Sequence, residues 1–464
     1  MLSSKIKIRI YVLLPILIFA HPRISQAEAT VSQRTKQIRE MGAIFQDVGT
    51  KEDAAIDENT LLGDYIRIGL RNNRGLRASF YEWESSFKKV SQAFSLPDPM
   101  FTVDRENGDG MEQESFAISQ NIPLPDKLWI RKKRAFKASE VFYHNFEQKR
   151  LNLIYEISDA YYEYLYLSKL IVLTEENIKL LISFEHVAQA KYRSALTKQQ
   201  DLLKVQVELG KLENELLTLV DSKKPLEARL NSPLNLPTNN ALPFPKESLE
   251  ELQMEDRFAD VEQLNTLLIK NNPEVLALSS SVEKGREELK LAKRDFIPDL
   301  TVGVSRKNSK YDTGNSSEAN MIALSINIPI WVGRLTSSVQ DARASLKASE
   351  NMFRDKEFEL SSKLSLVHYK LRDALRQSSL YKTALLPKAE QTLNSIRSGY
   401  EGGGVEFLSL IDAQRTLLDF QSAYYRQNAN FYQRLAELKT VLGETSEERK
   451  DKISSLTLKG DKDE

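Results

Sequence analysis

An internal duplication constrains the fold of this chain more than any other feature. The strongest match aligns residues 116–124, FAISQNIPL, with residues 322–330, IALSINIPI. Further pairs follow in the same order, namely Asn72-Asn73 with Asn271-Asn272, residues 96–99 with 297–300, residues 137–140 with 347–350, and Tyr192 and Gln206 with Tyr400 and Gln414. Landmarks that recur in one order indicate two copies of one structural plan.

Each copy contains a segment that is predicted to form a very long helix. No proline occurs between Asp126 and Lys224, and a helix from about Leu128 to Leu196 would be about 100 Å long. Pro387 interrupts the second copy and predicts a kink there. Residues that step by three and four, the coiled-coil period, are Leu151, Ile154, Ser158, Tyr161, Leu165, Ser168 and Val172, and then Phe353, Glu357, Leu360, Leu364, Val367, Leu371 and Ala374.

Two short segments with alternating apolar residues precede each long helix. The apolar positions are Phe101, Val103, Phe116, Ile118 and Ile122 in the first copy, and Leu300, Val302, Val304, Ile322, Leu324, Ile326 and Ile328 in the second. A period of two predicts β-strands with one apolar face. Turn-rich segments at 107–110 and 310–317 separate the strands of each pair. The chain is therefore predicted to contain two β-hairpins, each followed by a long helical hairpin.

The N-terminus has the pattern of an export signal. A basic start is followed by an apolar run at 11–20 and by Ser25-Gln26-Ala27, which predicts cleavage after Ala27. The chain has no cysteine, which excludes disulfides, thiolate metal sites and a lipid-carrying N-terminal cysteine. With 65 basic and 65 acidic residues, it has no excess of positive charge for nucleic acid.

Four strands with one apolar face pose a physical problem. In a bilayer every backbone group must be hydrogen-bonded, and membrane barrels start at about eight strands. Four strands cannot close a barrel alone, so several copies would have to share one. The alternative is a soluble β-layer capped by coiled coils.

The order of several short fragments resembles the outer-membrane efflux protein family of the TolC type. The fragments are Asn272-Pro273-Glu274, the Ile-Pro strand ends at Pro123 and Pro329, residues 386–390 (LPKAE), Gly399-Tyr400 and residues 408–414 (LSLIDAQ). The resemblance covers residues 61 to 443.

This resemblance implies a mainly α fold with a membrane β-barrel part. A homotrimer would form a 12-stranded β-barrel in outer-membrane lipid and an α-helical barrel in the periplasm. An adaptor protein would connect it to an inner-membrane pump of the RND type. Residues 80–84, 96–99 and 119–123 resemble the branch that serves heavy-metal-cation pumps. The expected function is therefore a passive exit duct for metal cations, ranked above drug efflux and type I protein secretion, with a pore-free periplasmic adaptor or scaffold as the alternative of another class.

These patterns predict the following segments. They are a signal peptide at 1–27, an N-terminal periplasmic segment with a first helix at 28–95, a membrane β-hairpin at 96–126, a long helical hairpin at 127–230, a proline-rich linker at 231–260, a helix opening the second copy at 261–296, the second β-hairpin at 297–331, the second helical hairpin at 332–443 and a charged flexible tail at 444–464.

The resemblance also implies a gate where the helical hairpins turn. In the second copy the candidate residues are Tyr400, Gly402, Gly403, Gly404, Ser409 and Asp412, and in the first they are Tyr192 and Asp201. The family's gate often has two acids three residues apart before an alanine. Asp412 matches the second acid, Ser409 replaces the first, and Asp201 aligns with Ser409 as a substitute. The alternative is that Asp412 is simply a solvated helix residue with no role in a gate.

Two tryptophans lie near the predicted ends of the strands. Trp129 and Trp331 follow the strand-ending prolines, where an interfacial aromatic girdle would lie.

The sequence contains no catalytic motif. His144, His186 and His368 lack the spacing of a zinc helix, and there is no P-loop, dinucleotide fingerprint or nucleophile elbow. We expect no enzyme activity, no cofactor and no metal site.

Overall fold

A computed structural model describes residues 24–46, 56–108, 111–195, 197–249, 252–311 and 313–444. Residues 1–23 of the predicted signal peptide and residues 445–464 of the predicted tail lie outside the described residues. The chain divides into two compact units after residue 52. In the first unit, residues Ile24–Gln46 form helix α1, in a region whose fold the sequence patterns did not predict.

The second unit repeats one order of elements. The first copy contains α2 (Leu62–Asn72), α3 (Arg74–Gln92), β1 (Met100–Gly108), β2 (Met111–Ile122), α4 (Pro125–Arg193) and α5 (Gln199–Leu234). The second contains α6 (Val261–Asn271), α7 (Pro273–Arg294), β3 (Leu300–Tyr311), β4 (Ser316–Ile326), α8 (Val332–Leu380), α9 (Leu386–Glu401) and α10 (Phe407–Leu442). The predicted fold class, a mainly α protein with a duplicated β-hairpin and long helical hairpin, is confirmed.

The four strands form one antiparallel sheet in the order β1-β2-β3-β4. The duplication extends to the strand register. Phe101 lies opposite Ile118 in the first hairpin, and the matching residue Val302 lies opposite Leu324 in the second. β2 pairs with β3 and joins the copies, so β1 and β4 are the two edge strands.

One face of this sheet carries an apolar band. Phe101, Ile118, Val304 and Ile322 form a row across all four strands. These side chains are exposed, up to 80% for Ile322. Toward the strand tips the band gives way to ion pairs, namely Arg105 with Glu112 and Arg306 with Glu318. The predicted alternation is therefore present, and its apolar face has no cover within the described part of the chain.

The predicted helical stripes are buried over most of their length. In α8, Leu360, Leu364, Val367, Leu371 and Ala374 are all buried. In α4, Leu151, Tyr161 and Leu165 are buried, but the placement of Val172 in the stripe was wrong because its side chain is exposed. By that turn the buried face has moved to Leu173 and Thr174, since a helix of 3.6 residues per turn drifts against a repeat of 3.5.

A π-helical turn over Tyr381–Leu385 separates α8 from α9. It lies just before Pro387, which has no N–H and whose ring would clash with the carbonyl of Thr383 in a regular helix. The wider turn removes this conflict and lets the helical path continue.

An asparagine at the start of α3 and of α7 ties each copy together. The Asn73 side chain accepts a hydrogen bond from the Leu76 N–H (2.8 Å) and donates to the Pro233 carbonyl near the end of α5 (3.0 Å). In the second copy, Asn272 accepts from the Glu274 N–H (2.8 Å) and donates to the Val441 carbonyl near the end of α10 (2.8 Å). Each asparagine therefore fixes where a return helix ends.

The segment at 261–296 was predicted as one helix and forms two, α6 and α7. The break lies at Asn272, because an N-cap residue has extended backbone and cannot continue the preceding helix. Gly443, in the left-handed conformation at the end of α10, packs against this break. A Cβ there would lie 2.5 Å from the Asn271 carbonyl oxygen.

Within the ranges that the structure describes, no helix has a stretch that is long and apolar enough to cross a membrane.

The Asn272 junction leads to a stability prediction. We expect Asn272→Ala to lower the free energy of unfolding by about 2 kcal/mol, because it removes a helix cap and leaves the buried Val441 carbonyl without its donor. Urea unfolding followed by circular dichroism measures this change. Asn271→Ala is the matched control and should change it little. Equal effects of the two substitutions would contradict the assigned role.

Candidate functional site at the hairpin tips

The two helical hairpins reverse direction in short tips that use left-handed backbone. In the first tip, between α4 and α5, Ala195 has φ of 56°. In the second, between α9 and α10, Gly403 has φ of 81°, whereas Gly402 ends α9 with φ of −76°. Of the three predicted turn glycines, Gly403 is therefore the one whose conformation requires glycine.

Tyr400 is the contact through which the first tip holds the second. Its ring is buried and lies 5.2 Å from the Phe407 ring. The Lys191 ammonium group, from the end of α4, donates a hydrogen bond to the Tyr400 carbonyl oxygen and lies 4.3 Å from the ring centre. A charge-assisted hydrogen bond and a cation–π contact thus reach from one hairpin to the other.

Asp201 belongs to the same cluster. Its carboxylate accepts a hydrogen bond from the Thr197 hydroxyl. Burial raises the pKa of Tyr400, and the nearby Asp201 carboxylate adds to this rise. The tyrosine therefore stays neutral at physiological pH. The structure thus brings the Asp201 carboxylate close enough to influence Tyr400 electrostatically within one chain.

A stronger link between the hairpins escaped the sequence analysis. Arg415 of α10 donates two hydrogen bonds to the carboxylate of Glu208 of α5, one of them 2.7 Å long. This bidentate pair holds the two return helices together near the tips. The partners lie 207 residues apart, and no motif in the chain announces their contact.

The pair has a pH dependence with a definite sign. The Arg415 guanidinium that donates to Glu208 holds the pKa of that carboxyl below its usual range. A carboxyl with a lowered pKa in the folded state contributes stability above its unfolded pKa. This contribution is lost as the pH falls through the folded pKa. Acid should therefore release α5 from α10 at this point.

Asp412 and Ser409 lie elsewhere, in a groove between α9 and α10. The groove has a volume of about 440 Å³, and Lys388 also lines it. The Asp412 side chain is 59% exposed and lies 3.9 Å from the Arg415 guanidinium. Asp412 and Asp201 therefore occupy different surroundings within one chain, and Asp412 shares its groove with Lys388.

The remaining predicted residues have simpler surroundings. Tyr192 is exposed at the end of α4. Trp129 is exposed near the sheet, packs its ring edge against Phe94 at 5.1 Å and has the Lys132 ammonium at 5.1 Å. Trp331 is more exposed, at the start of α8.

Among the described residues, no group of three or more His, Asp and Glu could hold a metal ion.

Comparison with known protein families finds a match for the second copy of the chain. Residues 264–444 match the family model described as outer membrane efflux protein. The second copy of this chain therefore resembles the outer membrane efflux proteins. The matched range runs from α6 to the end of α10 and includes Tyr400, the Glu208 partner Arg415, and Asp412. The first copy lies outside that range and shares its element order and strand register.

Two characterised relatives are similar over different lengths. The cobalt-zinc-cadmium resistance protein CzcC of Cupriavidus metallidurans is 23% identical over 383 residues, which cover 82% of this chain and 88% of the relative. Toxin and drug export protein A of Aggregatibacter actinomycetemcomitans is 22% identical over 218 residues, which cover 46% of this chain and 47% of that protein.

The solved structure of CusC, described in connection with transmembrane channel formation, has the same fold. It superposes with a TM-score of 0.72 at 14% identity and covers 83% of this chain and 93% of that one. This chain, with its long helices and small antiparallel sheet, therefore shares the fold of that solved structure.

The Glu208–Arg415 pair leads to a prediction about the tips. We expect Arg415→Ala to favour separated tips, because it removes both hydrogen bonds to Glu208. The change in free energy should be only about 1 kcal/mol, because the guanidinium is partly exposed. Spin labels on cysteines placed at Lys204 of α5 and Thr416 of α10 would report the distance between the hairpins. This variant at neutral pH, Glu208→Gln at neutral pH and the parent chain at low pH should all give broader, longer distances.

Arg397→Ala is the matched control, since it breaks an ion pair within α9 alone, 3.2 Å to Glu401. It should leave the distances unchanged. An unchanged distance distribution in Arg415→Ala would show that the pair does not hold the tips together.

Proposed function

We propose that this protein is a trimeric outer-membrane channel, the exit duct of a tripartite efflux system, and that its cargo is heavy-metal cations. It does no chemistry. An inner-membrane pump of the RND type supplies the energy, and a periplasmic adaptor connects pump and duct. The observation that carries the proposal is the match of the second copy to the outer membrane efflux protein model, together with a sheet whose apolar face is uncovered by the described residues.

The sheet supports a membrane location. The apolar band of Phe101, Ile118, Val304 and Ile322 has the alternation expected of strands that face lipid. Among the described residues, β1 and β4 are the edges of the sheet and have no strand partner on their outer sides. Lipid cannot satisfy the unpaired backbone groups of such edges. Three copies would contribute twelve strands, which is enough to close a barrel and leave no edge.

The helices support the same assembly. Within one chain α4 packs between α5 and α10, and α10 packs against α8 and α9, so α5 and α8 are the outer helices of the layer. Each outer helix has an exposed apolar stripe, with Leu203, Val207, Leu217 and Val220 on α5 and Phe358, Leu366 and Tyr369 on α8. Neighbouring subunits would bury these stripes against each other, and the helices would then surround a water-filled tunnel.

The hairpin tips supply a gate. The contacts of Tyr400 with Lys191, and of Arg415 with Glu208, tie the two hairpins of one chain together. We place Asp412 at the constriction, where three symmetric carboxylates favour cations over anions. Docking of the adaptor would break the contacts between hairpins and let the tips move apart. Ser409 occupies the position of the family's first acid, so we propose a ring with one carboxylate, Asp412, from each subunit.

The names of the relatives support metal cations as the cargo more than any other class of substrate. The relative with the longer match is named for resistance to cobalt, zinc and cadmium. The second candidate cargo is drugs or secreted protein, since the other relative is named a toxin and drug export protein and matches about half of this chain. A pore-free adaptor is disfavoured by the duplicated sheet with its exposed band.

Conductance tests the pore. We expect the purified protein to form discrete ion channels in planar bilayers and to prefer cations. Asp412→Ala should reduce that preference, seen as a smaller reversal potential in a salt gradient, because it removes three carboxylates from one ring. Asp221→Ala, an exposed acid in α5 away from the tips, is the control and should behave as the parent. The absence of any conductance would count against a pore.

The cargo is tested in cells. We expect deletion of the gene to lower the tolerated concentrations of cobalt, zinc and cadmium, and to leave tolerance to drugs and detergents unchanged. The parent gene on a plasmid should restore metal tolerance. A deletion strain that is sensitive to drugs and normally tolerant of metals would reverse the ranking of the two cargoes and leave the channel itself intact.

A further inference from the structure

An ion pair with a buried lysine joins the two copies within one chain. Lys127, the third residue of α4, is only 2% exposed. Its ammonium group donates to the Asp299 carboxylate (2.8 Å) and to the Ile297 carbonyl (2.7 Å), both in the turn that leads into β3. The helix that follows β2 is thereby fastened to the start of the neighbouring strand β3.

The duplication places the same two charges at the outer ends of the chain. Arg334 is the third residue of α8, as Lys127 is of α4, and the next residues, Leu128 and Leu335, are both buried. Asp98 precedes β1 in the turn that matches Asp299 before β3. Copy for copy, Arg334 corresponds to Lys127 and Asp98 corresponds to Asp299.

These two residues have no counterpart contact among the described residues. β4 and β1 are opposite edges of the sheet, so the junction that would join α8 to the turn before β1 does not exist in one molecule. Asp98 and Arg334 are both exposed. Neither has an ion-pair partner in the part of the chain that the structure describes. Their exposure contrasts with that of the equivalent pair, in which the Lys127 side chain is 2% exposed and the Asp299 side chain 18%.

We propose that Arg334 of one subunit binds Asp98 of the next, and that this ion pair repeats the internal Lys127–Asp299 junction at each subunit boundary. The inference rests on the proposed trimeric channel and names the charge pair that fixes its subunits. The guanidinium has the geometry to bind the carboxylate with two hydrogen bonds and to reach the Leu96 carbonyl, which matches Ile297.

The same correspondence fixes the register of the strands across the boundary. Within the chain, β2 and β3 pair Gln120 with Val302 and Ser119 with Gly303. The matching residues pair Ile326 of β4 with Phe101 of the neighbour's β1. One position along, Ser325 lies opposite the neighbour's Thr102. This pairing continues the apolar band from one subunit to the next.

Charge reversal tests the ion pair. Asp98→Arg and Arg334→Asp should each lower the ratio of trimer to monomer on native gels in mild detergent by roughly tenfold, because each brings like charges together at a buried site. The double variant Asp98→Arg/Arg334→Asp should restore the parent ratio. Both residues are exposed in the single chain, so folding of the subunit should be unaffected, and helical circular dichroism of each variant would verify this.

Co-expression distinguishes a contact between subunits from one within a subunit. Mixed trimers of Asp98→Arg and Arg334→Asp chains can match the charges at two of their three boundaries, so partial rescue is expected. The matched control exchanges the internal pair, with Lys127→Asp in one chain and Asp299→Lys in the other. Here each chain keeps its own mismatch, and co-expression should give no rescue.

Cross-linking tests the register independently. The chain has no cysteine, so the pairs Phe101→Cys/Ile326→Cys and Thr102→Cys/Ser325→Cys should give oxidation-dependent dimers and trimers on denaturing gels. Phe101→Cys/Ile322→Cys, displaced by about 13 Å along the strand, should not. If the parent chain is trimeric but charge reversal has no effect, this inference is wrong and the channel stands. If the parent chain never forms trimers, the proposed function fails with it.

Discussion

The rest of the structure depends on one constraint, the two open edges of a four-stranded sheet. Backbone groups along the outer sides of β1 and β4 have no strand partner in the part of the chain that the structure describes. The side chains of β4 include the most exposed apolar residues of the sheet, with Ile322 at 80% and Leu324 at 71%. An edge of this kind is a site of association in any solvent. In lipid it must be closed, since no water is available to bond the free groups.

Duplication is the means by which one chain can meet this constraint. The internal boundary between β2 and β3 already contains the strand register, the apolar row and the Lys127–Asp299 pair of a complete junction. A subunit boundary with the same parts needs no new chemistry, because β4 and β1 present matching residues. The long helices continue from these strands and bring the Tyr400 and Glu208–Arg415 contacts to the far ends of the hairpins.

Much of this architecture could be predicted from the sequence, because it follows from local patterns. The alternation of Phe116 and Ile118 predicts a strand, and the absence of proline between Asp126 and Lys224 predicts a very long helix. Contacts between distant helices could not be predicted. Glu208 and Arg415 are ordinary charged residues of two helical faces, and their meeting depends on how the hairpins cross. The error at Val172 has a similar origin, since a strict heptad ignores the gradual rotation of the buried face along a helix of 69 residues. The pairing of Asp98 with Arg334 could not be predicted either, because it is inferred from the contact between Lys127 and Asp299 in the structure.

The central claim is that the chain is one third of a closed barrel. Native mass spectrometry of the protein extracted from cell envelopes tests it most directly, because it counts the chains in each particle. The account predicts particles of three chains that need detergent or lipid to remain in solution. A single chain recovered from the periplasm in plain buffer, with its apolar band exposed to water, would contradict it.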